Sequence, residues 1–373
     1  MKLEIKQAIL MEHLNYVIKG ISSKNLIPIL NCIKFELTNN GLFLTSTNND
    51  ISIKTFIKES KIEKIVKCGD MVVSGRYIYD IVRKLPNEII LIEEIFDSTI
   101  AISSSNSSFK LNCNNVSEYP NIDLEENKNP ILLNTKVLKN LIHQTVFASS
   151  TQESRPILTG INLKIVDNLL ECTATDSYRL SKKVLTLKDK VDENVNIIIP
   201  SKNINELNKL LVDENNQVEL HIFNNKIIFK FNDIIFMSRL INGTYPDTSK
   251  LIPNDFKITL KVGLNEFYDA IDRASLLTNE ADKNTIKLET NQNLVTISSN
   301  IPEIGNVEEK IEVNNVTKED IHISFSSKYM LEALRYLDCE EIELLLNGEV
   351  KPIIIKNIED DGLIQLILPI RTY

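Results

Sequence analysis

Val73-Ser74-Gly75-Arg76-Tyr77-Ile78-Tyr79-Asp80-Ile81-Val82-Arg83-Lys84-Leu85 returns twice, in altered form, further along the chain. Moving 126 residues on gives Ile199-Pro200-Ser201-Lys202-Asn203-Ile204-Asn205-Glu206-Leu207-Asn208-Lys209-Leu210-Leu211. Another 126 gives Phe325-Ser326-Ser327-Lys328-Tyr329-Met330-Leu331-Glu332-Ala333-Leu334-Arg335-Tyr336-Leu337. Each copy has an apolar strand end and then apolar residues at helical spacing: Ile78, Ile81, Val82 and Leu85; Ile204, Leu207, Leu210 and Leu211; Met330, Ala333, Leu334 and Leu337. Side chains three and four apart share one face of a helix, so each copy predicts a strand feeding an amphipathic helix. Ser74, Ser201 and Ser326 or Ser327 are the N-cap candidates, because a hydroxyl there can accept an orphan backbone N–H.

Other landmarks keep step with this period. Tyr119-Pro120-Asn121 recurs as Tyr245-Pro246-Asp247, and Asp50 after the run 42–49 matches Asp176 after a similar run. Pro28-Ile29-Leu30 matches Pro156-Ile157-Leu158 with a small indel. An earlier helix precedes each of the three: its stripe is Leu10, Leu14, Val17 and Ile18 in the first copy and Leu138, Leu141, Ile142 and Val146 in the second. Phe267, Tyr268, Ile271 and Ala274 form it in the third. Between the helices lie short β-rich runs, such as 218–223 and 226–231 around an Asn-Asn turn. Self-similarity at a fixed period marks a repeat architecture. The expectation is an α+β fold of three repeated domains, each a duplicated β-α-β-β-β unit. Polar, Pro-bearing stretches at 123–130 and 251–255 put the domains at 1–125, 126–252 and 253–373.

The chain has 373 residues, with 42 Lys+Arg against 51 Asp+Glu and a formal net charge of −9. That balance argues against nucleic-acid binding by bulk positive charge, though not against a local basic surface. Its longest apolar runs are strand-length, far short of the ~18 residues of a membrane span, and the alternating start Met1-Lys2-Leu3-Glu4-Ile5-Lys6 is not that of a signal peptide. Cys32, Cys68, Cys113, Cys172 and Cys339 are scattered and never spaced as CxxC, which reads as reduced buried thiols and a cytoplasmic location. No membrane partner is expected.

Within this acidic chain the repeated helices are basic at two fixed positions. Arg76, Lys202 and Lys328 occupy one, and Arg83, Lys209 and Arg335 the other, seven residues later on nearly the same face. A solvated helix face explains any one of them; six basic residues in six positions point to a shared function. Three equivalent domains joined head to tail would present these helices on one side, and a closed ring with a basic bore would suit a duplex touched at its phosphates.

Catalytic and cofactor signatures are missing. There is no GxxxxGK[ST], no GxSxG, and no Cys/His ligand spacing around His13, His143, His221 or His322. Asp176 and Asp247 are the one carboxylate pair that a hydrolase reading could use, and the repeat mate of Asp176 favours a structural turn instead. The expectation is therefore a non-enzyme with no cofactor and no metal.

The chain resembles the bacterial DNA polymerase III β subunit family, the sliding clamps, over essentially its whole length. The resemblance is most specific at Arg155-Pro156-Ile157-Leu158-Thr159-Gly160, Thr173-Ala174-Thr175-Asp176-Ser177-Tyr178-Arg179-Leu180, Gly243-Thr244-Tyr245-Pro246-Asp247 and Leu366-Ile367-Leu368-Pro369-Ile370-Arg371. It implies a homodimeric ring with helices lining the inside and sheets the outside, encircling duplex DNA and acting as a processivity factor in DNA replication. Implied partners are the replicative polymerase catalytic subunit and an ATP-driven clamp loader. Translesion polymerases, ligase and mismatch-repair proteins are implied as well, all through short clamp-binding peptides. The alternative is a paralogous clamp with a specialised partner set.

Carried over residue by residue, the resemblance implies a partner-peptide pocket at Leu158, Thr175, Ser177, Tyr178, Arg179, Leu180, Pro246, Lys250, Leu251, Tyr329, Leu366, Leu368, Pro369, Ile370 and Arg371. An apolar floor with a polar rim suits bulky peptide anchors. Tyr178 stands where the family often has histidine, and Lys250 where some members have arginine. DNA contacts are implied at Lys24, Arg76, Gln152 and Lys202 and at the turn Arg155, Pro156 and Ile157, where some relatives carry aromatic residues; the repeat itself adds Lys328 as a candidate. Leu276 and Leu277 match the apolar pair of the dimer interface, facing the first-domain strand near 103–111 of the second copy.

Overall fold

The structure is a computed structural model that describes residues 1–22, 26–95, 98–126, 129–212, 216–253, 255–317 and 319–371. Among them are six α-helices: α1 (Gln7–Val17), α2 (Gly75–Lys84), α3 (Thr135–Thr145), α4 (Ser201–Asn208), α5 (Leu264–Ser275) and α6 (Ser327–Arg335). Each follows a strand and leads into three more. Lys2–Lys6 enters α1, and Cys32–Thr38, Gly41–Thr47 and Ile51–Lys58 follow it; the same sequence of elements is made around each of the other five helices. The duplicated β-α-β-β-β unit expected from the repeat is thus present in all three copies.

The chain packs as two compact units, Met1–Leu138 with Asn203–Leu240, and Lys139–Lys202 with Ile241–Tyr373. The first is built on a 13-stranded sheet. In it Ile234–Arg239 pairs antiparallel with Ile51–Lys58, with Phe236 opposite Ile53, so hydrogen bonding continues from residues of the first repeat to residues of the second. The second unit holds a nine-stranded and a four-stranded sheet. There Arg179–Thr186 pairs with Asp360–Ile367, placing Leu180 opposite Leu366.

Alternation along the strands and the 3.6 period of the helices meet in the cores. Leu10, Leu14 and Val17 of α1, Ile78 and Val82 of α2, and Phe267, Ala270, Ile271 and Ala274 of α5 have no exposed surface. Each large aliphatic or aromatic side chain so buried contributes about 1.5–3 kcal/mol. The helical stripes hold with small adjustments. Ile18, in the 3-10 turn after α1, Ile81 and Tyr268 are half-buried, and Leu85, Val146, Leu210, Leu211 and Leu337 reach the core from beyond the ends of their helices.

Two sequence expectations are corrected. The serine caps do not form: Ser74 and Ser326 occupy the N-cap positions of α2 and α6 without a side-chain bond. Ser327 instead donates its hydroxyl to the Asn284 carbonyl at 3.0 Å, so tertiary contact takes the group that capping would have used. Nor are all the thiols buried. Cys32 and Cys172 are, and burial pushes the Cys172 thiol up to about 12, but Cys68 is exposed; all five are free.

Candidate nucleic-acid interface and peptide site

Arg76, Lys202 and Lys328 are each the second residue of their helix, and all three are exposed. A cation there faces the positive end of the helix dipole and costs stability, typically 0.3–1 kcal/mol at an exposed site. Among the described residues none of the three has an ion pair to offset that cost. The first-turn N–H groups of a helix lack intrahelical partners and with a cation favour an anion from outside; in α6 the first of them, that of Ser327, is already taken by the Asn284 carbonyl at 2.8 Å. The second basic row differs. Arg83 pairs with Asp80 at 2.8 Å and Lys209 with Glu206 at 2.7 Å, each with the acid three residues earlier. In the third copy the equivalent acid, Glu332, bonds Arg179 instead, and Arg335 donates to the Tyr268 hydroxyl at 3.3 Å.

Of the other DNA-contact candidates, Gln152 and Arg155 are exposed in the segment ahead of the 3-10 turn Pro156–Thr159. Arg155 donates to Ser177 Oγ at 3.0 Å, which ties this segment to the peptide site. Pro156 is exposed, while Ile157 is half-buried against Leu158, Ile198 and Tyr245. Gly243, at φ 142°, leaves room for Ile157: a Cβ there would lie 2.2 Å from Ile157 Cδ1. Lys24 lies outside the described residues.

The second unit brings the expected peptide-site residues together from five segments. Leu180 and Leu366, paired across the sheet, form a floor with Leu345 and Ile354, flanked by Ile252 and Phe256. Leu158 packs with Ile198 and Tyr245 beside it. Tyr245 Oη accepts the Thr175 N–H at 3.0 Å, and Thr175 Oγ1 donates to the Arg179 carbonyl at 2.5 Å, which closes the tight turn that lifts Ser177 and Tyr178 into solvent. Ser177 takes a left-handed φ of 79° at the crest. Tyr178 is 57% exposed and stacks on Tyr329, ring centroids 6.4 Å apart. Leu368 donates its N–H to the Tyr178 carbonyl at 2.9 Å, and Ile370 its N–H to Ser324 at 2.7 Å, so the C-terminal segment is laid along the site by main-chain bonds. Leu251 and Leu368 are exposed apolar groups here, with Pro246, Lys250 and Arg371 exposed and Pro369 half-buried. Tyr245→Phe leaves the buried Thr175 N–H without an acceptor; an expected loss of about 1–2 kcal/mol is checked by urea unfolding.

Arg179 organises the rim. Only 8% exposed, it donates Nε to Asp176 at 3.0 Å, one Nη to Glu332 and the other to the Phe147 carbonyl at 2.8 Å. Its guanidinium lies 4.7 Å from the Tyr329 ring centroid and 5.4 Å from that of Phe147. Burial raises the Tyr329 phenol above its ordinary value, and Asp176 adds to that. Asp176 also accepts the N–H groups of Tyr178 and Arg179 at 2.9 and 3.0 Å, so its carboxylate is committed to the turn. Asp247 accepts the Ser249 N–H at 3.0 Å. Phe147, Tyr245 and Glu332 are the members of this network that the sequence reading did not place in the site. The acid that recurs three residues before each second-row cation is the signal that would have marked Glu332.

Leu276, at the end of α5, is 78% exposed, and Leu277 is half-buried. The described residues also bring Glu126, Glu219 and His221 together, with ligand atoms within 4.8 Å of one another. Lys230 already occupies that cluster, 2.7 Å from Glu126 and 3.8 Å from Glu219, so a metal ion would have to displace its ammonium group.

Six strand–helix–three-strand units in three matched copies, a repeated helix-end cation and an apolar floor with a polar rim define a repeat-built binding scaffold. The chain belongs to the DNA polymerase III beta subunit family, the sliding clamps. The family's N-terminal domain matches residues 1–123, its central domain residues 132–247 and its C-terminal domain residues 249–371. The beta sliding clamps of Staphylococcus epidermidis and Staphylococcus aureus are each 42% identical over 377 aligned residues, covering all of both chains. The crystal structure of the DNA polymerase sliding clamp from Bacillus subtilis superposes with a TM-score of 0.96 at 41% identity, again over the full length of both.

Proposed function

We propose that two copies of this chain close head to tail into a ring around duplex DNA, sliding without sequence preference and tethering the replicative polymerase. The observation that carries this reading is the unpaired cation on the first turn of α2, α4 and α6, repeated at 126-residue intervals in a chain of net charge −9. Such cations touch phosphates and read no base, so they position the duplex without holding it in one register. Retention comes from closure, and a tethered polymerase gains effective concentration at the primer end. The three family domains are read as 1–125, 126–252 and 253–373.

Two open strand edges support the dimer. Among the described residues Ser108–Asn114 pairs with Thr99–Ser103 on one side and on the other only at Asn114 and Cys113, while Gly305–Glu312 pairs only with Leu294–Ile301. The exposed Leu276 supplies an apolar group for a contact between copies. The Leu180–Leu366 floor would take the leucine and phenylalanine anchors of polymerase, clamp-loader, translesion-polymerase, ligase and mismatch-repair peptides in turn. Burying two such anchors is worth about 3–6 kcal/mol before ordering costs, which suits micromolar affinity and exchange of partners. The chain's own role is non-catalytic and cytoplasmic in this reading; no helix among the described residues is long and apolar enough to cross a membrane.

The deciding experiment loads the protein onto nicked circular DNA with a bacterial clamp loader, raises the salt, and then linearises the circle. Retention on the circle with loss from the linear form is expected. Equal retention on both would mean binding by contact and would overturn the ring.

A further inference from the structure

Beyond the C-terminal segment of the peptide site, the second unit carries an open cavity of about 650 Å³, a size that suits a few peptide side chains. Its floor is the solvent face of the four-stranded sheet, where Lys287, Ser298 and Glu308 lie side by side in register. Its walls are the loop that carries Asp282 and Lys283 and the chain end at Ile370 and Arg371, so the last two peptide-site residues line both places. Among the described residues Lys283, Lys287 and Arg371 have no ion pair, whereas Glu308 is paired with Lys310 at 2.8 Å. Three unneutralised cations therefore face one free carboxylate, Asp282, in a chain of net charge −9.

The loop is built to hold Lys283 in place. Lys283 and Asn284 are successive non-glycine residues in the left-handed region, at φ 57° and 52°, a conformation that persists only where surroundings enforce it. Here they do: Asn284 donates its N–H to Asn279 at 2.8 Å, Lys283 its N–H to Glu280 at 3.0 Å, and the Asn284 carbonyl accepts both the N–H and the hydroxyl of Ser327 at the start of α6.

We propose that this groove takes an acidic flank of the same peptide whose apolar anchors fill the Leu180–Leu366 floor, its carboxylates meeting Lys283, Lys287 and Arg371. The inference rests on the peptide-site reading and deepens it by naming a charge preference. Asp282 and Glu308 within the lining disfavour a dense dianion and suit carboxylates spaced along an extended chain. Exposed pairs of this kind are individually weak and screened by salt, so the preference is a modest one at low ionic strength.

The test uses the full-length protein and two labelled peptides with identical glutamine-led leucine and phenylalanine anchors, one flanked on both sides by Asp and Glu, the other by Ser and Gly. Fluorescence anisotropy is expected to give roughly 3–30-fold tighter binding of the acidic peptide at low salt, an advantage lost at about 0.5 M salt. Lys283→Glu with Lys287→Glu is expected to remove the advantage and leave the neutral peptide's affinity unchanged. Equal affinities for the unaltered protein, or an advantage that survives the double substitution, would overturn the groove while leaving the pocket in place. Failure of both peptides to bind would overturn the pocket reading itself. Displacement of the acidic flank by short duplex DNA, with the anchors still bound, would assign the cations to phosphate and likewise overturn the proposal.

Discussion

Arg76→Glu, Lys202→Glu and Lys328→Glu together are expected to cut loading onto DNA by roughly 100-fold while leaving the protein as stable as before, or slightly more so. The opposite signs come from one position in the helix. Each residue sits on the first turn, where the dipole disfavours a cation and favours an anion, so the exchange relieves a cost three times over. Each exchange also moves the net charge by −2, taking −9 to −15, and the added self-repulsion offsets part of that gain. Losing three phosphate contacts should lower the slope of log affinity against log salt by roughly 3. Loaded clamps per circle at several salt concentrations and a thermal melt of the free protein read both effects. Unchanged loading would remove the basic helix ends from the mechanism. A fall in loading that tracked a fall in melting temperature would mean only that the fold had been damaged.

Deleting residues 369–373 is expected to abolish polymerase stimulation while the dimer persists. The deleted segment carries Pro369, Ile370 and Arg371, and the Ile370–Ser324 main-chain bond holds it along the site. Leu366 and Ile367 remain to pair with Leu180 and Arg179, so the sheet keeps its register. Loss of about half the anchor burial, about 1.5–3 kcal/mol, should weaken a clamp-binding peptide by roughly 10–150-fold. Peptide anisotropy, a primer-extension assay and the solution mass measured together separate the outcomes. Stimulation that survived the truncation would place the partner site elsewhere.

The second helix of each copy was legible because its period, its apolar face and its two cations all repeat at one spacing. The first half of each copy was legible only in outline. The structure shows Asn48 accepting the N–H groups of Asp50 and Ile51 at 3.0 Å, as Asp176 accepts those of Tyr178 and Arg179. Asn49 and Ser177, next to them, share a left-handed φ of 78° and 79°. The structural mate of Asp176 is therefore Asn48, 128 residues before it, and not Asp50. The Pro28-Ile29-Leu30 match already carried the same offset, but acidic identity at Asp50 outweighed the turn chemistry that Asn and Asp share. The Arg179 network could not be read from spacing, because its partners stand 3, 32 and 153 residues away and the two distant ones, Phe147 and Glu332, meet it only through tertiary packing. Of the serine cap candidates, only Ser327 has its hydroxyl claimed by a neighbouring loop; Ser74 and Ser326 make no cap bond, and Ser201 Oγ is buried without a partner among the described residues.

The bond between Ile51–Lys58 and Ile234–Arg239 bears on how this chain tolerates being cut. A fragment ending near residue 125 would keep its helices and most of its core, yet leave Ser52, Ile53, Lys54 and Thr55 as an uncovered row of amide and carbonyl groups. Uncovered edges recruit other strands, and a segment as β-branched as Ile51-Ser52-Ile53-Lys54-Thr55 recruits them well. Single repeats of this protein should therefore come out of expression as oligomers or aggregates. A proteolytic nick inside the linker, which severs the chain without separating the strands, should be tolerated.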